Sequence, residues 1–145
     1  MEFDNSRRLL GLDVGDRRIG IAVSDFTGSL ATPVEVYSRR GAETDVAHIA
    51  DVLRLHDASR VIVGLPKNMN GSEGDQAQKT RDFAGRLVDA GLVVTLWDER
   101  LSTIEATRRL VEVGRKRRAI RQRVDAEAAA VILETYLDYL RSGGE

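Results

Sequence analysis

The chain has 145 residues, 42% of them apolar and 31% charged, the profile of one ordinary globular domain and of neither a disordered nor a membrane-spanning polypeptide. It has no cysteine, which excludes disulfides, zinc-thiolate centres, iron–sulfur clusters and a thiol nucleophile, and suits a reducing cytoplasm. Twenty-two Lys and Arg against 23 Asp and Glu leave a formal net charge of −1, so attraction to a polyanion has to come from local charge.

Residues 9–14 form a nearly continuous apolar run ending at Gly15, the pattern of a strand covered on both faces. Residues 18–24 alternate, with Ile19, Ile21 and Val23 on one side and Gly20, Ala22 and Ser24 on the other. The short Gly15-Asp16-Arg17 link predicts a hairpin between the two. After Pro33, Val34 and Val36 alternate with Glu35 and Tyr37, which predicts an outer third strand. The period then lengthens: Val46, Ile49, Ala50 and Leu53 recur at helical spacing. His48 and His56 on this helix read as surface or boundary residues.

Val61-Ile62-Val63 predicts a short buried strand, followed by a polar, glycine-bearing loop over residues 64–74. Ala77, Thr80, Ala84, Leu87 and Val88 mark a second helix stopped by Gly91. Residues 92–97 predict a fifth strand. Ser102 and Glu105 form a capping box that starts a third helix. Ala129, Ile132, Leu133, Tyr136, Leu137 and Leu140 define the final helix, with Asp125 immediately before it. No apolar run approaches the ~20 residues that cross a bilayer, and residues 1–4 lack the character of a signal peptide. This order predicts an α/β fold, one domain over residues 1–145. Three antiparallel strands are extended by two parallel strands into a five-stranded mixed sheet, with helices on both faces.

In such a sheet, ligands gather at the carboxyl ends of the parallel strands. Asp13 lies near the end of the first strand, Asp98 and Glu99 follow the fifth, and Asp125 precedes the last helix. Each has an ordinary structural reading: Asp13 as a turn residue, Glu99 as a surface acid paired with Arg100, Asp125 as a helix N-cap. If the fold converges them, three carboxylates repel one another unless cations intervene. Mg²⁺ or Mn²⁺ suits an all-oxygen site, and two such ions can activate water and stabilise a leaving oxygen in phosphoryl displacement.

The loop GLPKNMNGSEG leads from a strand into a helix, a layout that offers N–H groups to phosphate, and it lacks the spacing of a nucleotide-binding P-loop. Lys67, Asn68 and Asn70 are candidate backbone contacts, or residues of a plain solvated loop. RKRRAIRQR, residues 115–123, carries six basic side chains and no acid. It reads either as a phosphate-contact strip or as a solvated linker between helices. Trp97 reads as core rather than as a base-stacking platform.

Four blocks together carry a family likeness: GLDVGDRRIGIAVSD at residues 11–25, GLPKNMNGSEG at 64–74, DERLST at 98–103 and DAEAAAVILETYL at 125–137. In order and spacing the chain resembles the YqgF/RuvX family, described as Holliday junction resolvases and pre-16S rRNA nucleases with an RNase H-like fold. The resemblance implies that Asp13, Glu99 and Asp125 are catalytic metal ligands for two Mg²⁺ or Mn²⁺ ions, with Asp13 bridging both. It implies that Arg100, Ser102 and Thr103 shape the edge of the site and that Lys67 and Asn70 face substrate. Arg115, Lys116, Arg117 and Arg118 join them as nucleic-acid contacts. Asp98 and Glu127 are neighbours that could replace or assist a ligand. The implied activity is hydrolysis of phosphodiesters in structured nucleic acid, leaving a 5′-phosphate and a 3′-hydroxyl. The substrate is pre-16S rRNA or a Holliday junction, and a junction cutter would act as a homodimer. The rivals are a non-catalytic RNA-binding or ribosome-assembly module on the same fold, and an actin-like ATPase half, for which 145 residues supply one lobe of two.

Overall fold

A computed structural model describes residues 8–100 and 117–143, with side chains described for 8–100 and 126–143. Its strands are β1 (Arg8–Val14), β2 (Arg18–Ser24), β3 (Ala31–Ser38), β4 (Ala58–Leu65) and β5 (Val94–Asp98). Its helices are α1 (Ala42–Leu55), α2 (Asp75–Asp89) and α3 (Arg117–Arg141). One sheet runs in the order β3-β2-β1-β4-β5, antiparallel from β3 to β1 and parallel from β1 through β4 to β5. This is the mixed sheet that the order of elements predicts.

Alternation along the strands divides the core into two layers. Leu10, Leu12, Val14, Ile19, Ile21, Val61 and Val63 pack against Ile49 and Val52 of α1 and Phe83 and Leu87 of α2. On the opposite face, Leu9 and Ile62 meet Ile132, Leu133, Tyr136 and Leu137 of α3, and Ala22 meets Ala129 and Ala130. Small residues let α3 approach closely. A Cβ at Gly11 would lie 2.9 Å from the Ala129 carbonyl oxygen, and one at Gly64 would lie 2.5 Å from Ile132 Cδ1. Both glycines interrupt runs of apolar strand residues for this reason. Because Ala129 and Leu133 lie over Gly11 while Tyr136 and Leu137 join Leu9, α3 runs opposite to β1.

Several boundaries differ from the sequence-based expectations. Pro33 lies inside β3 rather than before it, as an edge strand beside a register irregularity allows. β4 extends beyond Val61-Ile62-Val63 at both ends, and β5 starts at Val94 rather than residue 92. Val88 is exposed, and Phe83 takes the buried place on α2 beside Ala84 and Leu87. The last helix is already formed at Arg117, the first residue described after residue 100, so Asp125 lies within it and residues 117–123 are helical rather than a linker. Residues 117–141 contain neither Gly nor Pro and are rich in Ala, Arg, Leu and Glu, so nothing local stops the helix upstream of Asp125. The helix expected from Ser102 lies outside the described residues. Among the described residues, no helix is long and apolar enough to cross a membrane.

Candidate active site

Since β1, β4 and β5 run parallel, their C-terminal ends share one edge of the sheet. Asp13, half-buried next to the last residue of β1, belongs with Leu9 and Gly11 to the face covered by α3. Glu99 follows β5 directly. Its N–H donates to the Leu65 carbonyl at 2.9 Å, carrying the β4–β5 ladder one step past Asp98. Two residues earlier, Trp97 Nε1 donates to Thr135 Oγ1 at 2.8 Å, and the ring packs against Tyr136 and Tyr139. Trp97 therefore ties β5 to α3, and Glu99 follows on the same face.

The Asp13 and Glu99 side chains come close enough across the end of β4 to share a hydrogen bond. Such a bond between two carboxyl groups requires a proton on one of them. Burial, the largest influence, raises the Glu99 pKa; contact with Asp13 opposes the rise, and the negative charge of Asp98 adds to it. Ionised together, the two groups would repel. The pair offers hard oxygen donors to a cation and no softer atom, which fits Mg²⁺ or Mn²⁺.

Asp98, the neighbour of Glu99, is engaged otherwise. Arg100 grips it through Nε at 3.1 Å and Nη2 at 2.7 Å, and the Arg100 N–H adds a third bond at 3.0 Å. The Arg100 guanidinium is the main reason that the Asp98 carboxyl stays below the usual range, against the effect of burial. Arg100 Nη1 also donates to the Met69 carbonyl at 3.3 Å. This bridge pins the loop at residues 66–74 to the end of β5.

Within that loop, Asn68 and Ser72 close a turn, with the Asn68 N–H donating to the Ser72 carbonyl at 2.8 Å and the Gly71 N–H to the Asn68 carbonyl at 2.8 Å. Gly71 has φ +88°, a left-handed backbone that favours glycine. Asn70 Oδ1 accepts from the Ser72 N–H and hydroxyl at 2.9 and 2.6 Å, so its carbonyl shapes the loop. Lys67 is half-buried and Asn70 exposed.

Position 125 lies one turn before Ala129 and two before Leu133, on the α3 stripe that packs against the sheet. The antiparallel run of α3 carries that stripe toward the edge where β1 ends. The side chains of Asp125, Arg117 and Arg118 lie outside the described residues, as do Ser102, Thr103, Arg115 and Lys116 altogether. Among the described residues, no three His, Asp or Glu side chains gather as a metal cluster. Glu127 is half-buried on α3.

Sequence reading missed the brace on the other side of β1. Asp45 is fully buried and accepts from Tyr37 Oη, Arg39 Nε and the Arg40 N–H, each at 2.9 Å. Arg39 Nη1 reaches on to the Gly15 carbonyl at 2.9 Å, and Gln76 Nε2 donates to the Val14 carbonyl at 3.1 Å. These bonds hold the chain just after Asp13. An acid in the first turn of a helix is too common to give such a network away. His48 is a boundary residue, as expected, bonded to Glu35 at 2.9 Å and stacked on Tyr37.

A family model described as RuvX, Holliday junction resolvase, matches residues 7–139. A relative from Anaeromyxobacter sp. (strain Fw109-5), named "Putative pre-16S rRNA nuclease", is 52% identical over 132 residues, covering 90% of this chain and 96% of its own. One from Halothermothrix orenii with the same name is 45% identical, covering 91% and 95%. Among solved structures, T. thermophilus RuvC in complex with a Holliday junction substrate is similar with a TM-score of 0.64 at 19% identity, covering 94% of this chain and 96% of its own. The Fowlpox virus resolvase bound to junction DNA is similar with a TM-score of 0.53 at 12% identity, covering 92% and 98%. At those identities the likeness is one of fold.

Proposed function

From the premise that the chain belongs to the RuvX family, we propose that it is a metal-dependent nuclease that hydrolyses phosphodiester bonds in structured nucleic acid. The observation that carries this reading is the contact between Asp13 and Glu99, two carboxyl groups brought together at the ligand-binding edge of the sheet. Relatives at 45 to 52% identity share the name of a ribosomal RNA nuclease, which favours pre-16S rRNA over a DNA junction as the substrate.

In this reading Asp13 and Glu99 are ligands to Mg²⁺ or Mn²⁺, and Asp125 is the third from its stripe on α3. Held by these residues, two such ions would supply charge neutralisation at the phosphodiester and a bound water of lowered pKa. The protein supplies position. The β4–β5 ladder fixes Glu99, the bonds to Val14 and Gly15 fix the chain beside Asp13, and Trp97 holds β5 against α3. Lys67 and the outward amide of Asn70 face the phosphate backbone, and Arg100 holds their loop in place. Ser102, Thr103 and the basic residues 115–118 complete the substrate contact. Cutting a four-way junction in paired incisions would call for a homodimer; trimming RNA would not. The compartment consistent with ribosomal RNA processing is the cytoplasm.

The test is cleavage of a pre-16S rRNA fragment and a four-way DNA junction side by side with Mg²⁺, Mn²⁺ or EDTA, with mass in solution measured in parallel. Wild type cuts the RNA only with metal. Asp13→Asn and Glu99→Gln lower the rate at least ~1,000-fold while keeping the fold, the scale of losing a group that acts only in the transition state. RNA binding without cleavage by the purified wild type, together with an Asp13→Asn variant that keeps full activity in cells, would instead favour a binding module.

A further inference from the structure

The edge that bears Asp13 and Glu99 continues past the β1–β2 turn to the end of β3, and the sequence motifs leave this part unassigned. Four arginines gather there: Arg17 and Arg18 in and after the turn, Arg39 and Arg40 after β3. The backbone stitches the two pairs together, with the Arg39 N–H donating to the Arg17 carbonyl at 2.9 Å and Ser38 paired with Arg18. Arg39 is spent internally on buried Asp45 and on the Gly15 carbonyl. Arg17 and Arg40 are exposed, and neither guanidinium has a hydrogen-bond or ion-pair partner among the described residues.

Beside them, between α1 and α2, lies a groove of about 580 Å³ lined by Asp16, Arg39, Lys79, Asp82, Phe83 and Arg86. Its acids are largely engaged. Lys79 holds Asp16 at 3.3 Å, Arg39 holds Asp45, and Gln78 donates to Asp82 at 2.9 Å. Glu43, exposed in the first turn of α1, is the acid that opposes the patch. Six cations thus face four acids, on a chain whose total charge is −1.

Strands are spaced about 4.8 Å apart, so the end of β3 lies roughly 10 Å along the edge from Asp13. At about 3.4 Å of rise per nucleotide, that is some three nucleotides of one strand. We propose that Arg17 and Arg40, backed by Lys79 and Arg86, form a phosphate-contact surface. The nucleic-acid strand leaving the Asp13–Glu99 site follows it around the β1–β2 turn into the groove. The proposal rests on the nuclease reading for its occupant. Contacts of this kind fix register on the backbone without reading bases.

The test is binding of a fluorescently labelled RNA hairpin in EDTA across a KCl series, beside metal-started cleavage of the same hairpin. The proteins are wild type, Arg17→Ala/Arg40→Ala, and Arg54→Ala at the far end of α1. Neither Arg17 nor Arg40 supports the fold through its side chain, so the melting temperature of the double variant stays at the wild-type value. Losing two phosphate contacts at ~0.7 to 0.9 each lowers the salt slope by about 1.4 to 1.8. At low salt the double variant has a Kd and KM raised about tenfold, with kcat unchanged, whereas Arg54→Ala behaves as wild type. An unchanged slope and Kd in the double variant, or an equal effect of Arg54→Ala, overturns the surface while leaving a cleaving wild type intact. If the double variant shows the predicted slope change but the wild type never cleaves, the surface stands and the nuclease reading is removed. A wild type that does not bind the hairpin overturns both.

Discussion

One strand, β1, serves two different ends on its two faces. Leu10, Leu12 and Val14 point into the layer under α1 and α2, built mostly of large apolar side chains. Leu9, Gly11 and Asp13 point toward α3, where the middle position has no side chain and the last is a carboxyl group. The first face is built for burial; the second gives up burial so that a helix can come close and an acid can sit at the edge. A period of two residues lets seven residues of chain do both.

Substitutions at adjacent positions separate the two faces. Leu12 is fully buried, so Leu12→Ala removes core volume and costs about 3 to 4 kcal/mol. A urea titration reads that loss, and activity per folded molecule stays near the wild-type value well below the melting point. Gly11→Ala places a Cβ 2.9 Å from the Ala129 carbonyl, a backbone atom that no rotamer change can move. Overpacking of this kind costs about 1 to 3 kcal/mol, less than the leucine truncation. Its effect on cleavage is nonetheless the larger, because relief comes from lifting α3 and with it position 125. If Gly11→Ala lost stability and kept full activity, the face under α3 would be ordinary core.

The next effect is smaller and sits at the rim. Arg100 joins Asp98 to the Met69 carbonyl, so its role is to position the loop that carries Lys67 and Asn70. Lysine keeps the charge and loses the planar fork that grips two carboxylate oxygens at once. Arg100→Lys and Asp98→Asn should therefore raise KM by about tenfold each, leave kcat within about twofold and combine without further loss, the mark of one interaction removed twice. Losses that multiply in the double variant would mean that Arg100 contacts the substrate itself.

The same contrast explains what could be read from the sequence. The aliphatic face announced itself through alternation in β1 and β2 and helical spacing in α1, because burial leaves a periodic trace. Asp13 and Glu99 were legible through strand ends and motif blocks, and they do meet. The start of α3 was not, because Asp125 satisfies the rules for an N-cap while the helix-forming residues before it carry the helix back to Arg117. Asp45 and its partners Tyr37, Arg39 and Arg40 were invisible for another reason. A buried polar network is defined by which elements the fold brings together, and no spacing within one helix encodes that. The resemblance placed Arg100 at the edge of the site, and what no motif could tell is which partners its guanidinium takes there, Asp98 and the Met69 carbonyl.

The smallest effect is a dependence of stability on pH, and the two faces carry it with opposite signs. Asp45 has its pKa lowered because hydrogen bonds from Arg40, Arg39 and Tyr37 outweigh the effect of burial. Its contribution is present above the unfolded carboxyl range and is lost as pH falls through the lowered value. Glu99 is raised above 4.5, chiefly by burial. Its contribution is complete below the unfolded value and is lost as pH rises through the raised one. In EDTA, Glu99→Gln should melt at about the wild-type temperature near pH 4 and increasingly above it as pH approaches neutrality. Added Mg²⁺ or Mn²⁺ should close that gap by favouring the ionised pair in the wild type alone. A melting difference that is flat with pH, and indifferent to metal, would mean that Glu99 is not held against Asp13 in solution, and the case for a cation at this edge would go with it.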